Sequence, residues 1–332
     1  MLVLGVETSC DDTAAAVLVD GRRVAANVVS SQDEIHSQYG GVVPELASRQ
    51  HVRNILPIID GALSQSGASL NDLDGIAVTR GPGLVGSLLV GLSVVKGISY
   101  RWRIPYVGVN HLEAHLLAIF LDREVSFPYL SLLASGGHTL LYLVRDFGDY
   151  RYLGGTRDDA AGEAYDKVAK MIGLGYPGGR AIDQLAKSGN PRAVSFPRAR
   201  LKKGSFDFSF SGLKTAVWHF LKERDKSAWE AEKADIAASF QEAVVDMLVA
   251  TTLRAAAELD VKRIVLAGGV AANSWLRQKM VESVRAEGAK VYFPPPSLCT
   301  DNGAMIALAG YHALKRGMKD DLRLNADADL TL

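Results

Sequence analysis

Residues 2–29, LVLGVETSCDDTAAAVLVDGRRVAANVV, decide the reading of the fold. An apolar strand (LVLGVE) runs into a polar turn (TSCDDT), a second strand (AAAVLV) reaches Asp20-Gly21, and a third strand (RRVAANVV) follows. Asp-Gly between apolar runs signals a hairpin, because tight hairpin turns demand positive φ and these residues tolerate it. Residues 129–155, YLSLLASGGHTLLYLVRDFGDYRYLGG, repeat the order of strand, Ser-bearing polar turn, strand, tight turn and strand. Two copies of one grammar imply an internal duplication.

Helical patterns follow both copies. VPELASRQHVRNILPIIDGALSQ carries apolar residues at three- and four-residue spacing, with Pro44 suited to a first turn, and AGEAYDKVAKMIGL does likewise. DLDGIAVTRGPGLVGSLLVGLSVVKGIS and KRIVLAGGVAANSWLRQKMVESVRAE each read as a buried strand, a glycine turn and a helix. Alternating strands and helices in two related halves argue for two α/β lobes around a cleft. The divisions expected are an N-terminal lobe over 1–122, a second lobe over 123–300 with an insertion near 187–232, and a C-terminal helix and tail over 301–332 that returns to the first lobe.

The 332 residues are 48% apolar, enough for a substantial core. Lys+Arg and Asp+Glu both count 37, so no global field draws a polyanion and nucleic-acid binding must use local patches. Candidates are Arg198, Arg200, Lys202 and Lys203, then Arg22 with Arg23, and Lys315 with Arg316, each of which, taken alone, reads first as a solvated face. The two cysteines, Cys10 and Cys299, have neither disulfide-framework nor zinc-knuckle spacing. The start MLVLGVETSCDD has no basic region and reads as a strand instead of a signal peptide, and no apolar run suggests a spanning helix; a soluble cytoplasmic protein is expected.

In VNHLEAHLLAIFLD, His111 and His115 are four apart, on one face of a helix that Asn110 can cap with Glu113 at N3. They are placed to share a metal. Glu113 would project about 200° round the helix from His111, so it reads as part of the cap and not as a peptidase base. The bland alternative is two surface histidines. A third ligand is offered by Asp301 in PSLCTDNGAMIA, which the local sequence alone favours as a helix N-cap; two imidazoles and a carboxylate suit Fe(II) or Zn(II). The SGGH turn, Ser135 to His138, could cradle a phosphate or carbonyl with its backbone amides, or simply close a hairpin. Asp11 or Asp12 in the equivalent first turn could position a metal or water. Gly178, Gly179, Gly268 and Gly269 permit close backbone approach, while Asp166, Asp183 and Asn273 could bind ribose hydroxyls or a base edge; packing glycines are the alternative. Neither segment has phosphate-loop or dinucleotide spacing.

Taken in order, VETSCDDT, GGVVPELASRQH, GPGLVGSLLVG, NHLEAH, SGGHT, DDAAGEAYDKVAKMIGLGYPGG, FSFSGLKTAV, LAGGVAAN and CTDNGAMIA resemble the TsaD family, the tRNA adenosine threonylcarbamoyltransferases once labelled glycoproteases. The resemblance runs from residue 6 to about 308, with Asp12 standing where the family more often has glutamate. It implies the two-lobe actin-like ATPase (ribonuclease H-like) fold and one divalent metal on His111, His115 and Asp301, Fe(II) first and Zn(II) second. It also implies ATP or threonylcarbamoyl-AMP bound by Ala134, Ser135, Gly136, Gly137 and His138 with Asp166, Gly179, Asp183 and Asn273. The reaction implied is transfer of the threonylcarbamoyl group to the adenosine 3′ of the anticodon in tRNAs reading codons that begin with A. No Ser-His-Asp or Cys-His arrangement is evident, so direct transfer is expected, with Asp11 as general base or water positioner. Implied partners are tRNA, a TsaB-like paralogue, a TsaE-like ATPase and a TsaC-like enzyme supplying the adenylate. The helices near 44–65 and 84–99 would meet the paralogue, with Ser87 and Gly91 permitting close approach, or would simply pack on their own sheet. A metallopeptidase and an actin-like ATPase or kinase are the rival readings.

Overall fold

The quoted stretch forms three antiparallel strands, β1 (Leu2–Glu7), β2 (Asp12–Val19) and β3 (Arg23–Ser31). Asp20 and Gly21 turn between the last two with φ of 51° and 68°, the double positive φ that a two-residue hairpin requires. After the short α1 (Asp33–Ser37) and the long α2 (Pro44–Ser66), β4 (Gly75–Gly81) adds parallel to β1; α3 (Val85–Trp102) then leads to β5 (Tyr106–Asn110) and α4 (His111–Leu117). Pro44 opens α2 and Gly67 closes it in the left-handed region, as the helix-start preference of proline and the C-cap preference of glycine demand.

The computed structural model describes residues 1–199 and 204–332. They divide into two compact units, Met1–Val125 with Thr300–Leu332, and Ser126–Cys299. The second unit repeats the plan. Its strands are β6 (Tyr129–Ala134), β7 (Thr139–Asp146), β8 (Asp149–Gly155), β9 (Arg263–Ala267) and β10 (Lys290–Tyr292). Its helices are α5 (Ala161–Met171), α6 (Gly178–Ala186), α7 (Ser211–Lys222), α8 (Lys226–Ala231), α9 (Lys233–Glu258), α10 (Ser274–Ala286) and α11 (Pro296–Cys299). The strand orders are β3-β2-β1-β4-β5 and β10-β9-β6-β7-β8, so each unit sets a three-strand meander beside two parallel strands.

The chain returns to the first unit as α12 (Gly303–Lys315), which packs on β1, β2, β4 and α4. Close approach is what its small residues provide: a Cβ on Gly303 would lie 2.5 Å from the Ala16 amide nitrogen. This seating fixes where residue 301, just upstream, meets α4. In the second unit α9 is long and apolar enough to cross a membrane by composition, contrary to the expectation that no such run exists, but 72% of its window is buried. Ile236, Phe240, Val244 and Leu248 lie in the core of that unit, which is where a helix with so large an apolar surface is stable.

Candidate metal centre and substrate loops

The centre begins with a helix cap. Asn110 ends β5 and its side chain accepts from the amides of Leu112 at 2.8 Å and Glu113 at 3.3 Å, starting α4 at His111. One turn on, His115 presents its ring to His111, with centroids 4.7 Å apart and planes at 89°. Asp301 Oδ1 lies 3.0 Å from His115 Nε2 and 3.6 Å from His111 Nε2. Donor atoms of the three side chains all fall within 4.8 Å of one another. Asp301 does not cap α12; Asn302 does, accepting from the Met305 amide at 3.0 Å and donating to the Thr300 carbonyl at 2.8 Å. The local sequence placed two cap-competent residues side by side, and only the fold separates their roles.

Two imidazoles and a carboxylate fit a divalent metal with positions left for substrate. The electrostatics agree. Burial acts to lower the pKa of His111, but Asp301, Glu7 and the Glu7 hydrogen bond outweigh it and push the ring up to about 9, so the pocket favours positive charge. His115 Nδ1 is buried with no hydrogen-bond partner. Glu7, which the sequence reading missed, is fully buried at the end of β1, with Oε2 2.9 Å from His111 Nδ1 and 2.8 Å from the Thr79 hydroxyl. Its signal was present: the only charge in the apolar strand LVLGVE.

The turn after β1 is held by His51 of α2, whose Nε2 lies 3.0 Å from the Cys10 carbonyl and whose Nδ1 lies 2.8 Å from the Thr13 hydroxyl. Since a carbonyl only accepts, Nε2 carries the proton and the hydroxyl donates to Nδ1. Burial, then Asp11 and Asp301, hold the Cys10 thiol well above its ordinary value, so it is no thiolate nucleophile. Burial also raises Asp11, against the opposing hydrogen bond from Cys10. Burial, then Asp301 and Asp11, push Asp12 up to about 7. Asp11 and Asp12 thus share the electrostatic neighbourhood of Asp301.

In the second unit the SGGH turn closes β6 onto β7: the Ser135 amide donates to the His138 carbonyl at 2.7 Å, and the His138 amide to Ser135 Oγ at 3.1 Å. A Cβ added to Gly136, Gly137 or Gly179 would meet nothing within 4 Å, so those backbones are open to a ligand. Gly178 is different, since a Cβ there would lie 2.5 Å from that of Ala169; it is a packing glycine. Gly268, at φ 83°, packs against the Ala134 carbonyl. Asp166 accepts from the Gly178 amide at 2.8 Å, and Asp183 accepts from Ser274 Oγ at 2.9 Å. Asn273 is spent on structure: it accepts from the Leu276 amide at 2.9 Å and donates to Gln241 at 2.6 Å, so its amide is committed to the start of α10. The structure therefore gathers these residues around α5, α6 and the α10 start, with the side chain of Asn273 already engaged.

Residues 23–308 match the sequence model of TsaD, tRNA N6-adenosine threonylcarbamoyltransferase. The chain is 54% identical over 332 residues to the tRNA N6-adenosine threonylcarbamoyltransferase of Syntrophotalea carbinolica, covering 100% of this chain and 97% of the relative. It is 57% identical over 327 residues to that of Anaeromyxobacter dehalogenans, covering 98% of each. The chain belongs to the TsaD family. Solved structures agree on the fold alone. Component A of the Acidaminococcus fermentans (R)-2-hydroxyglutaryl-CoA dehydratase is similar with a TM-score of 0.56 at 16% identity, over 95% of this chain and 99% of that one. Full-length HypF is similar with a TM-score of 0.64 at 13% identity, over 95% of this chain and 46% of that one. The architecture is the two-lobe actin-like ATPase fold, and membership of a transferase family disfavours the peptidase and kinase readings.

One expectation drawn for this TsaD-family chain needs correction. Ser87 and Gly91 do not present a small-residue surface: the Ser87 carbonyl accepts from Thr8 Oγ1 at 2.9 Å, and Gly91 lies close against the same hydroxyl. Their smallness lets α3 sit on its own sheet. The outward face of α2 and α3 carries Val52, Leu56, Val85 and Leu89 instead, 64%, 60%, 55% and 42% exposed. Among the basic candidates, Arg198 is paired with Asp246 at 2.8 Å, and Arg22, itself 73% exposed, is paired with Glu124. Arg200, Lys202 and Lys203 lie outside the described residues.

Proposed function

We propose that this chain transfers the threonylcarbamoyl group from threonylcarbamoyl-AMP to the exocyclic amine of the adenosine 3′ of the anticodon, in tRNAs reading codons that begin with A, releasing AMP. The observation that carries the reading is the meeting of His111 and His115, one turn apart on α4, with Asp301 from the far end of a TsaD-family sequence. A divalent ion on these three ligands, Fe(II) first and Zn(II) second, would supply Lewis-acid polarisation and charge stabilisation.

The chain's own residues do the rest. Ala134 to His138 and Gly179 offer open backbone to the adenylate phosphate, Asp166 and Asp183 face its ribose or base, and Asn273 acts through the loop it caps. The amine attacks the carbamoyl carbon, the new C–N bond forms as the C–O bond to phosphate breaks, and the amine proton passes to Asp11, whose raised pKa suits a base. Cys10 stays a thiol, which supports direct transfer.

The exposed apolar face of α2 and α3 supports a helical partner there, a TsaB-like paralogue. A TsaE-like ATPase joins the cycle, a TsaC-like enzyme supplies the adenylate, and the location is the cytoplasm. Reconstitution with these partners, threonylcarbamoyl-AMP and unmodified tRNA, followed by nucleoside analysis, tests the proposal. Modified adenosine is expected; its absence under metal-replete conditions with competent partners overturns the reading.

A further inference from the structure

Glu7 is a carboxylate from which water is fully excluded, and burying such a group is costly unless its oxygens are satisfied. Its hydrogen-bond partners are donors: the Ser9 amide to Oε1, and the Thr79 hydroxyl at 2.8 Å and His111 Nδ1 at 2.9 Å to Oε2. A carboxylate only accepts, so the proton at this contact belongs to Nδ1 of His111. Ser9 Oγ, at 3.2 Å from the same nitrogen, is the longer contact. With Nδ1 committed, the ring's other nitrogen is the one turned toward Asp301. His115 has no equivalent support, because its Nδ1 has no hydrogen-bond partner.

We propose that Glu7, held by Thr79 and the Ser9 amide, is a positioning residue that fixes the tautomer and orientation of His111, so that Nε2 is presented to the ion shared with His115 and Asp301. Outer partners of this kind fix a ligand's ring and raise its basicity. The proposal rests on the metal reading given above. It also makes the two histidines unequal: His111 is preset by its carboxylate, whereas His115 is oriented by packing and Asp301.

The test uses zinc as probe with the full-length chain. Zinc affinity is measured by competition with a chromophoric chelator, and the His111 tautomer by nitrogen-15 spectra assigned with His111→Gln. Zinc-loaded wild type should show Nδ1–H, and Glu7→Gln should weaken zinc binding about tenfold to a hundredfold with an unchanged circular dichroism spectrum. Thr79→Val should weaken it by a smaller factor, and carries the test if Glu7→Gln does not fold. An Nε2–H tautomer in wild type, or zinc affinity within about twofold of wild type in the folded variants, overturns the role of Glu7 alone. Wild type that binds no zinc removes the metal reading itself, and the proposal with it.

Discussion

His51 is buried where a charge is costly, and its two hydrogen bonds require the neutral ring. Burial holds its pKa below the ordinary value, against the raising effect of the Cys10 carbonyl. Unfolded, it takes up a proton near pH 6.5; folded, only at lower pH. Its contribution is therefore complete above about pH 6.5 and is lost as pH falls through the folded value, with a slope of at most about 1.4 kcal/mol per pH unit. Urea unfolding should show that fall in wild type and a shallower one in His51→Gln; a ring that titrates by NMR at or above pH 6.5 contradicts this. The glycines separate in the same way. Gly268→Ala forces a side chain into positive φ against the Ala134 carbonyl and should cost about 2 kcal/mol or more, while Gly136→Ala should unfold at the wild-type urea concentration yet lose transfer. At this scale the sequence disclosed residue types at candidate spacings but not their partners. Glu7 looked like the end of a strand, Asp301 read as the cap that Asn302 in fact supplies, and Gly178 and Gly179 were one pair until packing on Ala169 distinguished them.

Among the elements, α12 links the core to the centre. Its cap, Asn302, is fully buried and tied both to Met305 and to Thr300, so it also holds the backbone that bears Asp301. Asn302→Ala should cost about 1 kcal/mol in unfolding free energy and weaken zinc binding with it; unchanged affinity would separate the cap from the ligand. On α2 and α3, Leu56→Glu should leave the melting temperature within a degree or so of wild type, because 60% of Leu56 is already exposed, and should abolish co-elution with the paralogue. Persistent co-elution rules out this face as the dock. The meander strands were legible as apolar runs broken by turn residues, buried on both faces in β1, β2 and β6, and α2 was legible from its 3.6-residue spacing. The helix α9 was not, since burial over most of its circumference blurs the stripe by which an amphipathic helix is recognised.

Across the whole molecule, one frame is used twice with different loops. The turn after β1 bears Asp11 and Asp12 near Asp301, and the turn after β6 bears glycines with open backbone. Duplication was readable from strand order; the convergence of residues 111, 115 and 301 was not, because it depends on the chain returning through α12 to its first unit. On the function proposed, that convergence holds the ion that assists transfer. Metal content and threonylcarbamoyl transfer should therefore be measured on the same preparations of wild type and of the His111→Ala, His115→Ala double variant. About one divalent ion per chain and full transfer are expected in wild type, with both lost together in the folded double variant. A folded double variant that keeps either its ion or its transfer activity contradicts the assignment.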